Sequence, residues 1–129
     1  MRKIILMLLL AVFSTGALAQ WVEVGSNKAE TVYVDLTVVR KGANVVEMWD
    51  LFDFNSAQSM TLGKQYLSQM SQHEYDCELK RSRILSFTQH SGQMTEGKEV
   101  NRDISLGNWE PLTPGSPLEL LWKIACEKR

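Results

Sequence analysis

The sequence predicts an α+β protein in which one mostly antiparallel β-sheet carries a C-terminal α-helix on one face. Segments of alternating apolar and polar residues recur between residues 21 and 104, as expected for strands. One helical pattern begins at Ser116 near the end of the chain. The only two cysteines, Cys77 and Cys126, lie on a predicted strand and in the last turn of the predicted helix. We therefore expect one disulfide that holds the helix on the sheet.

The first 19 residues are expected to be a signal peptide (residues 1–19) rather than part of the fold. Arg2 and Lys3 precede an apolar run of about ten residues, shorter than the ~20 residues that span a membrane. Ala17-Leu18-Ala19 has the small-x-small pattern of a cleavage site. We therefore place the domain at residues 20–129. No cysteine lies near the cut, so no lipid anchor of the lipoprotein type is expected.

The expected export indicates a disulfide-bonded protein, and the net charge indicates which partners are not expected. An exported chain with an even number of cysteines is typically disulfide-bonded, and two cysteines allow one intrachain bond. Without Arg2 and Lys3 the chain has 12 basic and 15 acidic residues, a net charge of about −3. Nucleic acid and membrane surfaces select basic patches, so neither is an expected partner.

Three strands are predicted in the first half of the domain. Residues 21–25 and 31–35 alternate on either side of a turn-type cluster, and residues 36–40 could extend the second strand or form a short helical turn. The third strand, residues 45–54, is apolar on both faces, which is typical of a strand in the middle of a sheet with both faces covered. The helix can cover one face. Loops or a second copy of the protein would cover the other, and this is our sequence-level indication of a homodimer.

The second half of the domain contains three further alternating segments. Residues 71–77 are followed by a charged turn or bulge, and residues 83–90 and 98–104 are expected to form a hairpin. Residues 55–64 are polar and residues 106–115 are rich in proline and glycine, so both are expected to be loops.

The closing helix has the clearest signals in the chain. Ser116 is the expected N-cap, Pro117 occupies the first helical position, and Glu119 completes a capping box. An apolar stripe at spacings i, i+3, i+4 and i+7 is expected to face the sheet. Its members are Leu118, Leu121, Trp122 and Ala125.

No pattern in the sequence indicates reaction chemistry. His73 and His90 are the only histidines, and the carboxylates next to His73 on a strand would not surround one ion. Asp50 and Asp53 are expected on opposite strand faces, as solvated charges or strand-end caps. The sequence contains no nucleophile elbow, phosphate loop or dinucleotide fingerprint. We therefore expect no enzymatic activity, no metal and no cofactor.

Five residues are candidates for contact with a partner protein. Lys80, Arg81 and Arg83 form a basic cluster, which could bind a partner or could instead pair with nearby carboxylates across a hairpin. Trp21 and Trp109 lie at the edges of predicted segments. They could be exposed anchors for a partner or could pack on the sheet.

A series of short motifs covers nearly the whole domain in a characteristic order. The motifs are Trp21-Val22-Glu23-Val24-Gly25, Val32-Tyr33-Val34-Asp35, Met48-Trp49-Asp50-Leu51, Glu74-Tyr75-Asp76-Cys77, Arg81-Ser82-Arg83, Trp109-Glu110-Pro111, Pro114-Gly115-Ser116 and Leu121-Trp122-Lys123-Ile124-Ala125-Cys126. In this order the chain resembles the bacterial surface-adhesin protein E family.

The resemblance implies a six-stranded antiparallel sheet with one C-terminal helix. It also implies a non-enzymatic adhesin that dimerises and binds host extracellular-matrix or plasma proteins, such as vitronectin, laminin and plasminogen. It identifies no ligand-binding residue. The best-known adhesin of the family is a lipoprotein, whereas this chain has an ordinary cleavage site, so a periplasmic location is as much expected as a secreted or surface one. The alternative function is a periplasmic structural or envelope-accessory protein with no host ligand.

Overall fold

The computed structural model describes residues 20–60 and 63–128 and confirms the predicted fold class. The expected leader, residues 1–19, lies outside the described residues. Six strands pair antiparallel in chain order from β1 to β6, and a short β7 pairs with β5. The elements are β1 (Trp21–Ser26), β2 (Glu30–Arg40), β3 (Val45–Ser59), β4 (Gln65–Asp76), β5 (Arg81–His90), a 3₁₀ turn (Gln93–Thr95), β6 (Glu99–Asp103), β7 (Glu110–Pro111) and α1 (Pro117–Lys128).

Two predicted boundaries are wrong near the centre of the sheet. Residues 55–59, expected to be loop, continue β3, and β4 begins at Gln65 instead of residue 71. The β3–β4 register shifts between Asp53 and Gln58. Because this end of β3 is largely exposed, its strand residues carry no apolar alternation. Residues 36–40 extend β2 rather than forming a helical turn.

The predicted loop at residues 106–115 begins as an interrupted edge strand. After β6, the Gly107 N–H donates to the carbonyl oxygen of Ile84 at 2.8 Å, and Glu110 then pairs with Ser82. A β-carbon at Gly107 would lie 3.0 Å from the Ile84 side chain, so this close approach favours glycine. The segment from β6 through Gly107 to β7 thus runs along β5 from one end to the other.

The helix packs on one face of the sheet through the predicted stripe. Leu121 and Ala125 are fully buried, and burying a side chain as large as leucine stabilises a fold by about 1.5–3 kcal/mol. They contact a core of fully or almost fully buried side chains from three strands, Val32, Val34, Val46, Met48 and Tyr75. The faces of the strands therefore follow the alternation that the sequence predicts.

The N-terminus of the helix is capped as predicted, with one change. The Ser116 Oγ accepts a hydrogen bond from the Glu119 N–H at 3.2 Å. The Glu119 carboxylate accepts from the N–H of Gly115 at 2.9 Å rather than from Ser116. Its other oxygen forms an ion pair with Lys80 at 3.2 Å. The cap therefore also ties the helix to the β4–β5 turn.

A disulfide joins the C-terminal end of the helix to the sheet, as predicted. Cys77 lies one residue beyond the end of β4, Cys126 lies in the last helical turn, and the two Cα atoms are 5.7 Å apart. The bond closes a loop with a sequence separation of 49. In the chain-entropy model such a loop contributes about 4 kcal/mol to stability.

A loop covers one end of the opposite face of the sheet. The 3₁₀ turn crosses this end, where the Met94 N–H donates to the Asp53 carboxylate at 2.8 Å and the Thr95 N–H donates to the Ser68 Oγ at 2.9 Å. Asp53, which was expected to be solvated or to cap a strand end, lies within β3 and caps this 3₁₀ turn instead.

Asp50 contradicts the expectation of a solvated charge. Its side chain is fully buried on the helix side of the sheet, and its Oδ2 lies 2.6 Å from the Nδ1 of His73 on the neighbouring strand. The physical reason is strand alternation, because Asp50 shares its face with Met48 and Phe52, which pack in the core. A carboxylate at this position needs a buried partner, and His73 supplies it.

Candidate protein-interaction face

The side of the sheet opposite the helix presents a row of residues from five adjacent strands. We call this side the interaction face. Strand pairing places Trp21, Asp35, Trp49, Gln72 and Ser86 side by side, one from each of β1 to β5. Trp21 and Trp49 are partly buried and lie two strands apart in this row. The register therefore brings two tryptophans that are distant in sequence onto one surface.

The next row forms the apolar centre of the interaction face. Leu51 pairs with Tyr33 on one side and with Met70 on the other. Leu51 is fully buried although α1 packs on the other side of the sheet, whereas Tyr33 and Met70 remain partly exposed. Burial, followed by the charges of Asp53 and Glu23, raises the pKa of Tyr33. The phenol therefore stays protonated at neutral pH and keeps its hydrogen-bond donor.

A tryptophan flanked by two arginines lies at one end of the interaction face. β7 pairs with the start of β5 and so brings Trp109 beside Arg81 and Arg83. The guanidinium carbons lie 4.8 Å (Arg81) and 4.4 Å (Arg83) from the centroid of the Trp109 ring. Cation–π contacts of this kind stabilise by about 0.5–1 kcal/mol each at exposed sites. They hold the indole in a fixed position.

Each of these arginines also forms an ion pair with a carboxylate on β4. The Arg83 Nε donates to Glu74 at 2.7 Å, and the Arg81 Nε donates to Asp76 at 3.0 Å. Glu74 and Asp76 are each only 6% exposed, so both need a partner. Two cations and two anions thus make this cluster neutral, and it is no basic patch.

Asp76 also organises the turn that follows β4. One carboxylate oxygen accepts hydrogen bonds from the N–H groups of Glu78 and Leu79 at 3.0 and 2.9 Å. Burial raises the pKa of Asp76, but hydrogen bonds from the Leu79 N–H, the Arg81 guanidinium and the Glu78 N–H outweigh it, and the pKa is lowered. The carboxylate is therefore charged throughout the neutral range.

Lys80 is separated from the two arginines with which it clusters in sequence. Its backbone has a positive φ of 56°, and its side chain turns towards the helix. There the Nζ lies 5.4 Å from the centroid of the Trp122 ring and pairs with Glu119. Lys80 therefore belongs to the helix side of the molecule and is not part of the interaction face.

Four of the five candidate partner-facing residues lie on the interaction face. They are Trp21, Trp109, Arg81 and Arg83, and their contact with a partner stays a prediction. Trp49, Tyr33 and Met70 were not among the candidates predicted from the sequence. The sequence feature that could have identified Trp49 is the second apolar face of β3, because strand alternation places Trp49 on the same side as Leu51.

The described residues contain no evident site for a metal ion. Among residues 20–60 and 63–128, no group of three or more histidine, cysteine, aspartate or glutamate side chains could hold one. In the same ranges, the helix that is present is too short and too polar to cross a membrane.

Comparison with known proteins identifies the family of the chain. No curated protein matches it. The family model of the surface-adhesin protein E matches residues 21–127, which span the sheet, the helix and both cysteines. The chain therefore belongs to the surface-adhesin protein E family.

Proposed function

We propose that the protein is an exported, non-enzymatic binding protein and that its interaction face binds another protein. The observation that carries this proposal is the open side of the sheet. It has an apolar centre and a Trp–Arg cluster at its end, and one turn covers its far edge. Membership of an adhesin family supports binding to proteins in general.

The composition of the interaction face suits protein recognition. Tryptophan, tyrosine, methionine and arginine are enriched at protein interfaces, and a few buried aromatic or arginine side chains supply most of the binding energy. Here Trp49, Tyr33 and Met70 surround the buried Leu51. Glu23 on the edge strand β1 supplies part of a polar rim, and Asp35 lies between Trp21 and Trp49. The apolar centre would be the energetic core of the contact.

The parts of the fold that support the interaction face also lower the entropic cost of binding a partner. The helix and the Cys77–Cys126 disulfide hold the sheet from behind, and the carboxylates of Glu74 and Asp76 fix both arginines. Side chains that are already ordered lose little entropy when a partner binds. The interaction face is therefore preorganised.

We infer that the partner is a host extracellular-matrix or plasma protein, because the chain belongs to the family described as surface-adhesin protein E. The alternative is a periplasmic accessory role in which the same face meets a component of the envelope. Protease treatment of intact cells distinguishes the two. Degradation of the protein supports surface display, and protection in intact cells followed by degradation in lysed cells supports the periplasmic role.

The direct test measures binding of residues 20–129 to immobilised vitronectin and laminin. The double variant Trp49→Ala/Trp109→Ala should weaken binding at least about tenfold, equivalent to about 1.4 kcal/mol. Leu120→Ala is the matched control, because Leu120 is an exposed apolar residue on the helix at the other side of the molecule. Equal affinities for wild type and the double variant would contradict the proposed face.

A second copy of the chain is another partner that the interaction face could accept. Sedimentation equilibrium of wild type and of Trp49→Ala would measure this. A dimer that dissociates in Trp49→Ala but not in Leu120→Ala would place the self-contact on the interaction face. A dimer insensitive to Trp49 would place it elsewhere.

A further inference from the structure

Two of the four tryptophans hold a cation of the same chain over their rings, and the other two do not. The Lys80 ammonium lies 5.4 Å from the centroid of the Trp122 ring, and two arginines flank Trp109. Among residues 20–60 and 63–128, no lysine or arginine lies over the ring of Trp21 or Trp49. Both of these tryptophans are partly exposed on the interaction face.

Asp35 lies between these two tryptophans. Strand pairing places Trp21 opposite Asp35 and Asp35 opposite Trp49, so the three side chains stand in one row on the same side of the sheet. Neighbouring strands are about 4.8 Å apart, so a group bound over Asp35 has a tryptophan about 5 Å away on either side. A cation is attracted to an indole ring within about 6 Å of its centroid. The spacing of the row therefore suits a cation between the two tryptophans.

The Asp35 carboxylate can be reached from solvent and forms no ion pair with a described residue. Its Oδ1 accepts a hydrogen bond from the Thr37 N–H at 2.9 Å. The residue is partly exposed and lines a cleft of about 400 Å³ at the edge of the sheet, together with Gln20 and Val22. A carboxylate oxygen in this position can accept charge-assisted hydrogen bonds from a bound cation.

The charges around this row favour a cationic partner. β1, β2 and β3 contain one basic residue, Arg40, and its pairing with Val46 places it on the helix side. Lys41, just beyond β2, is held by Glu47 at 3.3 Å. Glu23 is exposed in the next row of the interaction face and forms no ion pair with a described residue. A cation would therefore meet two carboxylates that lack an internal counter-ion, and an anion would be repelled.

We propose that the Trp21–Asp35–Trp49 row binds an arginine side chain of the partner protein. The planar guanidinium lies between the two indole rings and donates hydrogen bonds to Asp35, because guanidinium groups both stack on aromatic rings and pair with carboxylates. A lysine ammonium fits less well, since it is a more strongly hydrated point charge. This assignment rests on the proposed function, because it names the chemical group of the partner that the interaction face recognises.

The N-terminus of the mature protein is a competing cation that the experiment has to remove. Cleavage after Ala19, as expected from the sequence, would place an α-ammonium group on Gln20, which lines the same cleft. Cyclisation of Gln20 to pyroglutamate eliminates this charge. The test therefore uses residues 20–129 with Gln20 cyclised, and mass spectrometry verifies the modification.

The test is a nuclear magnetic resonance titration with N-acetylarginine methylamide. The indole N–H signals of Trp21 and Trp49 should shift saturably, whereas that of Trp122, which is bonded to Asp76 on the helix side, should not respond. N-acetylcitrulline methylamide has the same shape without the charge and should bind at least about fivefold more weakly. Equal binding of the two compounds, or no saturable shift up to about 100 mM of the arginine compound, would overturn the proposal.

A pair of matched variants tests the role of the carboxylate. Asp35→Asn keeps the shape and removes the charge, and should weaken binding of the arginine compound at least about fivefold. Asp103→Asn is the control, because Asp103 likewise accepts a hydrogen bond from the N–H two residues further on but lies on β6 at the other edge of the sheet. Unchanged affinity in Asp35→Asn would overturn the proposal. If that variant does not fold, the comparison of the arginine and citrulline compounds on the wild-type protein decides.

Failure of this assignment can be distinguished from failure of the proposed function, because the arginine compound needs no partner protein. Binding of the wild type to laminin or vitronectin without a response to the arginine compound would overturn the arginine site alone. Saturable binding of the arginine compound at Trp21 and Trp49 would support the site even where the protein binds neither laminin nor vitronectin, a result that would count against the inferred partner.

Discussion

The indole Nε1 of Trp122 donates a hydrogen bond to the main-chain carbonyl oxygen of Asp76 at 2.8 Å. This contact connects the helix to the last residue of β4. The side chain of the same aspartate holds Arg81 on the interaction face, and the next residue, Cys77, forms the disulfide to the helix. One short segment therefore fixes the helix on one side of the sheet and the Trp–Arg cluster on the other.

We predict that Trp122→Phe lowers the free energy of unfolding by about 1 kcal/mol, the net contribution of a typical hydrogen bond. The loss should stay modest because the Asp76 carbonyl oxygen also accepts from the Lys80 N–H at 3.0 Å. Urea denaturation followed by circular dichroism measures the change. Trp49→Phe is the matched control, since the Trp49 indole nitrogen bonds to no described residue. An equal effect of both changes would contradict the role assigned to the hydrogen bond.

We predict that loss of the disulfide lowers the free energy of unfolding by about 4 kcal/mol, as the chain-entropy model gives for a loop of this length. Natural domains are stable by about 5–15 kcal/mol, so the reduced protein should fold only marginally. The measurement compares urea midpoints with and without dithiothreitol. The variant Cys77→Ala/Cys126→Ala should resemble the reduced wild type and should not respond to the reductant. An unchanged midpoint on reduction would contradict the prediction.

We predict that Arg83→Met lowers the free energy of unfolding by about 2 kcal/mol, because it leaves the almost fully buried Glu74 without its cation. Methionine keeps the apolar stem beside Trp109 and removes the charge. Arg102→Met is the matched control. The ion pair of Arg102 with Glu99 is exposed at both ends, so solvent screens it and its loss should change the free energy of unfolding much less.

The double variant Arg83→Met/Glu74→Gln should recover part of the loss, since it removes the unpaired charge as well. Chemical denaturation of wild type, Arg83→Met, Glu74→Gln and the double variant gives the coupling energy between Arg83 and Glu74. A cost of Arg83→Met no greater than that of Arg102→Met would show that burial of Glu74 does not matter.

Local sequence signals predict those parts of the fold that depend on local chemistry. Ser116, Pro117 and Glu119 fix the start of the helix within one turn, and alternation assigns Val46 and Met48 to the core face. The extension of β3 to Ser59 was missed because its exposed end carries polar residues on both faces. Pairing with β4 holds it in place, and pairing is not visible in a single segment.

Both the Asp50–His73 contact and the interaction face depend on the register between strands that are distant in sequence. Alternation places Asp50 on the face of Met48, and His73 on the face of Tyr75, so a charged residue on an apolar face was visible in the sequence. Its partner was not, because that contact joins residues 23 apart on different strands. The row that contains Trp21 and Trp49 likewise exists only when β1, β2 and β3 are aligned.

We predict that the free energy of unfolding falls at acidic pH because the Asp76 carboxylate becomes protonated. Its pKa is lowered in the folded protein: burial raises it, but the hydrogen bonds from Leu79, Arg81 and Glu78 outweigh this effect. The unfolded carboxyl, with a pKa near 3.8, therefore takes up its proton first as the pH falls. The resulting stability is fully present above that pH and is lost as the pH drops through the lower folded value.

Asp76→Asn should consequently be less stable than wild type at pH 7, and the difference between the two free energies of unfolding should shrink towards pH 3. Urea denaturation at intervals of pH measures both proteins. Glu99→Gln is the control, because the Arg102 hydrogen bond also lowers the pKa of Glu99, but solvent screens that exposed pair and the change should be smaller. A difference for Asp76→Asn that does not vary between pH 7 and pH 3 would mean that its carboxylate charge does not stabilise the turn between β4 and β5.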